Sequence, residues 1–92
     1  MTVRATPTKA FIKALKGLPP NRQDAAISAL SRFQAEPALP GLKFRPLAGK
    51  PGFFIISSVH GDRIILCRDE AEVYSAVDVG PHDNIYRRWN RR

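Results

Sequence analysis

Cysteine is nearly missing from this chain of 92 residues, where Cys67 stands alone inside an apolar run. One thiol excludes an internal disulfide and cannot build a metal site unaided. A reducing compartment, the cytoplasm, is the expected location. Histidine is almost as scarce, at two residues, and the eight acidic residues form no cluster. Neither a metal nor any other cofactor is therefore expected. No apolar stretch approaches the ~18 residues that would cross a bilayer. No export signal is recognisable either, so a membrane is not among the expected partners. Internal repeats and low-complexity tracts are absent. The most consequential shortage is of acid: fifteen Lys and Arg against eight Asp and Glu give a net charge of +7. An excess of this kind implies an anionic partner, either nucleic acid or an acidic protein, and says nothing about fold.

Residues 1–92 have the length of one domain, and hydrophobic and charged contents of 43% and 25% are ordinary for a globular chain. Val3, between Thr2 and Arg4, suits a brief N-terminal edge strand. Thr6-Pro7 then reads as an N-cap followed by proline at the first helical position. Phe11, Ala14, Leu15 and Leu18 recur at helical spacing, and Gly17 marks the stop. Lys9, Lys13 and Lys16 stripe the other side, a pattern that serves phosphate contact or simple solvation. After Pro19-Pro20, the residues Ala26, Ile27, Leu30 and Phe33 trace the buried side of a second helix, which Pro37 ends. Two helices joined so tightly should form an antiparallel hairpin.

The texture changes after Gly41. Leu42 to Leu47 alternates, with Leu42 and Phe44 inward and Lys43 and Arg45 outward. Phe53 to Val59 is nearly all apolar, as in a central strand covered on both faces. His60-Gly-Asp62 reads as a hairpin turn, Arg63 to Arg68 as the next strand, and Glu72 to Val79 as the last. Short turns predict an antiparallel meander. The fold class is α+β: an N-terminal helical hairpin on a four-stranded antiparallel sheet, with a short C-terminal helix.

That last helix follows Gly80-Pro81. At about 100° per residue, His82, Ile85, Tyr86 and Trp89 share a face, while Arg87, Arg88, Arg91 and Arg92 crowd the rest. Asp83 in the first turn and arginines in the last suit the helix dipole, and Asp83 also stands four residues from Arg87. A histidine one turn from a phenol, beside dense positive charge, is an inventory for handling a phosphodiester. The same His82 and Tyr86 could instead serve, with Ile85 and Trp89, to dock the helix.

Six pieces in order resemble a known family. They are Phe11-Ile-Lys-Ala-Leu-Lys-Gly-Leu-Pro19, Pro40-Gly-Leu42, Gly52-Phe53, Arg63-Ile-Ile-Leu66, His82-Asp-Asn-Ile-Tyr-Arg87, and the tryptophan with terminal arginines after it. Together they resemble the RelE/ParE superfamily of bacterial type II toxin–antitoxin toxins, in its His-Asp-x-x-Tyr subgroup. The resemblance implies a RelE-like fold and a toxin neutralised by an acidic antitoxin. RelE-like members cut messenger RNA, usually on the ribosome. ParE-like members share the fold and poison DNA gyrase without cutting, and a protein of this fold could also bind RNA or its antitoxin without cleavage.

In the nuclease reading, a ribose 2′-hydroxyl attacks the adjacent phosphate. By resemblance, Arg63 matches the strand arginine aimed at that phosphate and Tyr86 the C-terminal tyrosine. Histidine as a residue type titrates near neutrality, which makes His82 the candidate acid or base. Arg63 has an ordinary alternative, an ion pair with Asp62 or Asp69. RelE-like nucleases also carry lysines on the strand before the arginine, and Phe53 to Ser58 has none. Lys43, Arg45 and Lys50 are the candidates to replace them, with Arg87, Arg88, Arg91 and Arg92 binding RNA or an acidic antitoxin segment.

Overall fold

A computed structural model describes residues 2–89, so the expectations placed on Arg91 and Arg92 lie outside the described residues. Its core begins with the two most apolar strands, β3 (Phe53–Ser57) and β4 (Asp62–Glu70). Both alternate between two buried faces. Ile56, Ile64 and Leu66 point to one side, Ile55 and Ile65 to the other, and all five are essentially inaccessible. A strand apolar on both faces must be covered on both, and the remaining elements do this.

On the first face lie α1 (Lys9–Lys16) and α2 (Pro20–Ala35), forming the expected helical hairpin. Phe11, Leu18, Ala26, Ala29, Leu30 and Phe33 meet the sheet there. Ile27 does not; it is 52% exposed, and Ala29 takes the inward place. The closer approach that alanine permits explains why a periodicity keyed to large residues selects the wrong position. Helix α1 also starts later than expected. Thr8 is the N-cap, its hydroxyl accepting from the Phe11 amide at 3.2 Å and donating to the Ala76 carbonyl at 2.9 Å. Thr6-Pro7 instead ends strand β1 (Arg4–Pro7).

The sheet order is β1-β5-β4-β3-β2, with β5 spanning Val73–Pro81 and β2 only Arg45–Pro46. The meander from β2 to β5 is antiparallel as expected, but β1 joins β5 in parallel, so the sheet is mixed and five-stranded. The free edge of β1 is blunted by α2: the Val3 amide donates to the Gln34 carbonyl and the Ala5 amide to Gln34 Oε1, at 2.9 and 3.0 Å. At the opposite edge, the strand expected over Leu42 to Leu47 is mostly something else. Pro40–Leu42 is a 3-10 turn and Lys43 adopts a left-handed conformation (φ 52°). Only two residues remain to pair with β3.

On the second face lies α3 (His82–Trp89), whose Ile85 is fully buried with Leu47, Ile55 and Ile65. The helix begins without the anticipated turn, because β5 runs through Gly80-Pro81 directly into it. Gly80 eases this close approach. A Cβ there would stand 3.3 Å from Arg88 Nη2 and 3.8 Å from an Ile85 side-chain carbon.

One ion pair ties the first face to the start of β4. Arg22 of α2 grips Asp62 through Nε and Nη2 at 3.0 and 2.6 Å, and Asp62 is 0% exposed. Donating hydrogen bonds to this carboxylate pushes the Arg22 guanidinium pKa up, as the nearby negative charge does to a smaller extent. A buried carboxylate tolerates its charge only while the partner stays. Arg22→Ala is therefore expected to lower the melting temperature more than Arg32→Ala, a change at an exposed position on the same helix, and thermal denaturation of both variants checks this.

Candidate functional site

Strand alternation and register decide which charged residues meet. Arg63 pairs with Ser57 on one side and Gly80 on the other. Two residues before Ile65, it projects from the α3 face of the sheet. Arg45 pairs with Ile55 and projects from the same face. From there its Nη2 donates to the Tyr86 hydroxyl at 3.4 Å, while Nη1 donates to the Lys43 carbonyl. Arg63, Arg45 and Tyr86 thus border the apolar floor of Ile55, Ile65 and Ile85.

Arg63 makes neither of the ion pairs that its sequence neighbours suggest. Asp62 is committed to Arg22, and Asp69 accepts the Ser75 hydroxyl at 2.6 Å. Its Nη1 donates only to the turn carbonyls of Gly61 and Asp62, at 3.1 and 3.5 Å, and its buried Nε has no partner. Among the described residues it forms no salt bridge. A guanidinium without a carboxylate partner is chemically able to pair with an external anion.

His82 opens α3 with its side chain half exposed. Its ring meets Tyr86 edge-on, with centroids 4.5 Å apart, and Nδ1 lies 3.1 Å from Asp83 Oδ1. Asp83 thus engages His82 and makes no contact of salt-bridge length with Arg87 among the described residues. A carboxylate on Nδ1 favours the tautomer that carries its proton there and leaves Nε2 free to exchange one. The aromatic contact fixes both rings on one edge of the helix.

The other cations divide into two groups. Arg87 and Lys43 are exposed, and neither forms an ion pair among the described residues. Arg88 is engaged, donating from Nε and Nη2 to Asp78 at 3.1 and 3.0 Å. Lys50 lies 5.8 Å from the centroid of the Trp89 ring. The sequence reading does not distinguish the open cations from those spent on holding α3.

It also misses Asp78. This carboxylate accepts both Arg88 bonds and the Trp89 Nε1 bond at 2.8 Å, fastening the last turn of α3 to the sheet. A β-bulge aims it there. The β4–β5 register shifts between Ile65 and Leu66, so Val77 has no partner of its own. Consecutive residues Val77 and Asp78 then both face α3, where an unbroken strand would send one to each side. Alternating hydrophobicity gives no warning of this.

Asp78→Ala should release the C-terminal turn of α3 and leave Trp89 Nε1 without its partner. Charged hydrogen bonds of this kind contribute about 1.5–3 kcal/mol, which for a domain of this size corresponds to a melting-temperature loss of roughly 6–24 °C. Hydrogen exchange should rise in α3 before it rises in α1 or α2; equal protection in variant and wild type would show that the clamp does not hold the helix.

No protein-family model and no curated protein sequence matches the chain. Solved structures do. The RelBE2 toxin–antitoxin complex from Mycobacterium tuberculosis aligns with a TM-score of 0.72 at 20% identity, over 89% of this chain and 100% of that one. The RelB-RelE complex from Methanococcus jannaschii gives 0.69 at 19% identity, over 91% and 98%. A free E. coli RelE carrying two arginine-to-alanine changes gives 0.68 at 19% identity, over 91% and 87%. Helical hairpin, sheet and C-terminal helix superpose over nearly the whole length, and the fold of this chain is that of the RelE toxins.

Proposed function

We propose that this chain is the toxin of a type II toxin–antitoxin pair and acts as a metal-independent endoribonuclease on messenger RNA, with the ribosome as the setting of the cut. The observation that carries the reading is the placement on one sheet face of Arg63, which has no carboxylate partner among the described residues, with Arg45 and Tyr86. In this mechanism the ribose 2′-hydroxyl attacks the neighbouring phosphorus, and the bond to the departing 5′ oxygen breaks. Arg63 holds the charge that builds on the phosphorane oxygens, a contribution of about 10²–10³ in rate for one well-placed donor. His82, with Nε2 outward and Nδ1 on Asp83, exchanges a proton with the reacting oxygens, worth about 10²–10⁴. Tyr86 supplies a hydroxyl that Arg45 already orients. Lys43 and Arg87 hold flanking phosphates, as do Lys50 and Arg88 through the outer edges of their stacked or paired side chains; Arg91 and Arg92, outside the described residues, are given the same role on their charge alone.

The partner that silences the protein is an acidic antitoxin. The similar M. tuberculosis and M. jannaschii proteins were solved as complexes with theirs, and a chain of net charge +7 attracts such a segment at long range. A second reading, a gyrase-binding toxin that cuts nothing, is favoured by one feature: no cation lies between Phe53 and Ser58 on the central strand.

Induced expression should arrest growth, and primer extension on cellular messages should show new 5′ ends. Arg63→Ala and Tyr86→Phe should each slow cleavage by about 10²-fold while weakening RNA binding much less, since they act on charge and protons that change only in the transition state. His82→Gln should lose activity as His82→Ala does, because an amide can dock a helix but cannot carry a proton. Products must end in a 2′,3′-cyclic or 3′-phosphate. Growth arrest with intact messages, or full cleavage by His82→Gln and Tyr86→Phe at unchanged melting temperature, would favour the gyrase reading or a different site.

A further inference from the structure

The described residues hold three buried side-chain polar atoms with no hydrogen-bond partner: Ser57 Oγ, Ser58 Oγ and Arg63 Nε. All lie at one end of the β3–β4 hairpin. Ser57 and Arg63 are register partners, directly opposite one another. Alternation from Ile55 and Ile65 places both side chains on the face that carries α3, whereas Ser58 turns to the helical-hairpin side. Unmet buried donors are few in native proteins, and each calls for a reason. A serine oxygen can accept from an arginine Nε–H, yet these two neighbours make no bond to each other. An oxygen with two free lone pairs, such as a phosphate oxygen, can accept from both at once.

We propose that the Ser57 hydroxyl is a further substrate-binding donor of this site, joining the Nε–Nη2 edge of Arg63 around the non-bridging oxygens of the scissile phosphate. The assignment rests on the endoribonuclease reading above. The Arg63 guanidinium is tethered only by Nη1, through bonds of 3.1 and 3.5 Å to the turn carbonyls of Gly61 and Asp62. Gly61 gives that turn its left-handed conformation (φ 85°) and holds its carbonyl where Nη1 meets it. A shift of the guanidinium off these carbonyls uncovers Nε and Ser57 Oγ together. The planar Nε–Nη2 edge then matches two phosphate oxygens, and Ser57 adds a third donor from the adjacent strand. Ser57 lies on the strand segment from Phe53 to Ser58 that carries no cation, so a neutral hydroxyl takes on the task of orienting the phosphate and leaves the charge to Arg63.

Two readouts test it, one independent of cleavage. Ser57→Ala should lower kcat by about 10²-fold with KM changed little. Its melting temperature should stay level or rise, because removing an unmet buried hydroxyl removes a desolvation penalty. Ser57→Thr, which keeps the hydroxyl, should restore most of the rate. Separately, inorganic phosphate titrated into the wild type should shift the Arg63 Nε–H resonance saturably, with Arg63→Lys used for assignment, and Ser57→Ala should weaken that response. Full cleavage by Ser57→Ala, or an Nε–H resonance that phosphate leaves unmoved, overturns the proposal. Should the wild type cut no RNA, the nuclease reading falls, and the phosphate titration alone then decides whether Ser57 and Arg63 form an anion site.

Discussion

Everything in this molecule follows from two adjacent strands that are apolar on both sides. Ile56, Ile64 and Leu66 demand a cover on one face of the sheet, and Ile55 and Ile65 demand one on the other. The helical hairpin supplies the first with Phe11, Leu18, Leu30 and Phe33. The second has to be met by the eight residues of α3, which is little material for the purpose. Ile85 is the only side chain of that helix that is wholly buried, so apolar burial by itself leaves α3 weakly held. Polar fastening takes up the difference, through Asp78 on Arg88 and Trp89 and through Arg45 on Tyr86.

That division has a functional consequence. The face covered by bulky helices is closed, whereas the face covered by one short helix retains a polar border. Arg63 sits on this border because an odd number of strand positions separates it from Asp62 and Ile64, which turn to the other side and lock onto Arg22 and the core. The acid beside it in sequence is thus on the wrong face to neutralise it. One-residue alternation separates a structural carboxylate from a guanidinium that has no carboxylate partner among the described residues. The same face receives His82 and Tyr86 because Gly80 admits the helix closely and β5 runs straight into it.

Where the residues carried a strong local signal, the sequence reading and the structure agree. The 3.6-residue recurrence of Ala26, Leu30 and Phe33 marks a helix, the unbroken run from Phe53 to Ile56 a central strand, and Asp83 with the arginines behind it a helix with complementary ends. Disagreements fall where a short-range signal had a long-range competitor. Thr6-Pro7 has good capping chemistry, yet pairing with Thr6↔Ser75 and Pro7↔Ala76 on β5 draws it into a strand and passes the cap to Thr8. Leu42 to Leu47 alternates properly, but the left-handed turn at Lys43 breaks the pairing after two residues.

By itself, then, the sequence determined the α+β class, the order of the elements and the excess of basic residues, and it nominated His82, Tyr86 and Arg63 as candidates for the chemistry. Those properties are set by composition and by periods of two to four residues, which are local. Only the tertiary structure decided which charges are spent and which are open. Arg88 is paired with Asp78, Asp62 with Arg22, and Arg63 and Ser57 are left with unmet donors. Each of these outcomes depends on register between strands or on one extra residue in a bulge. A shift of one position exchanges the two faces of a strand without altering the pattern of residues along it.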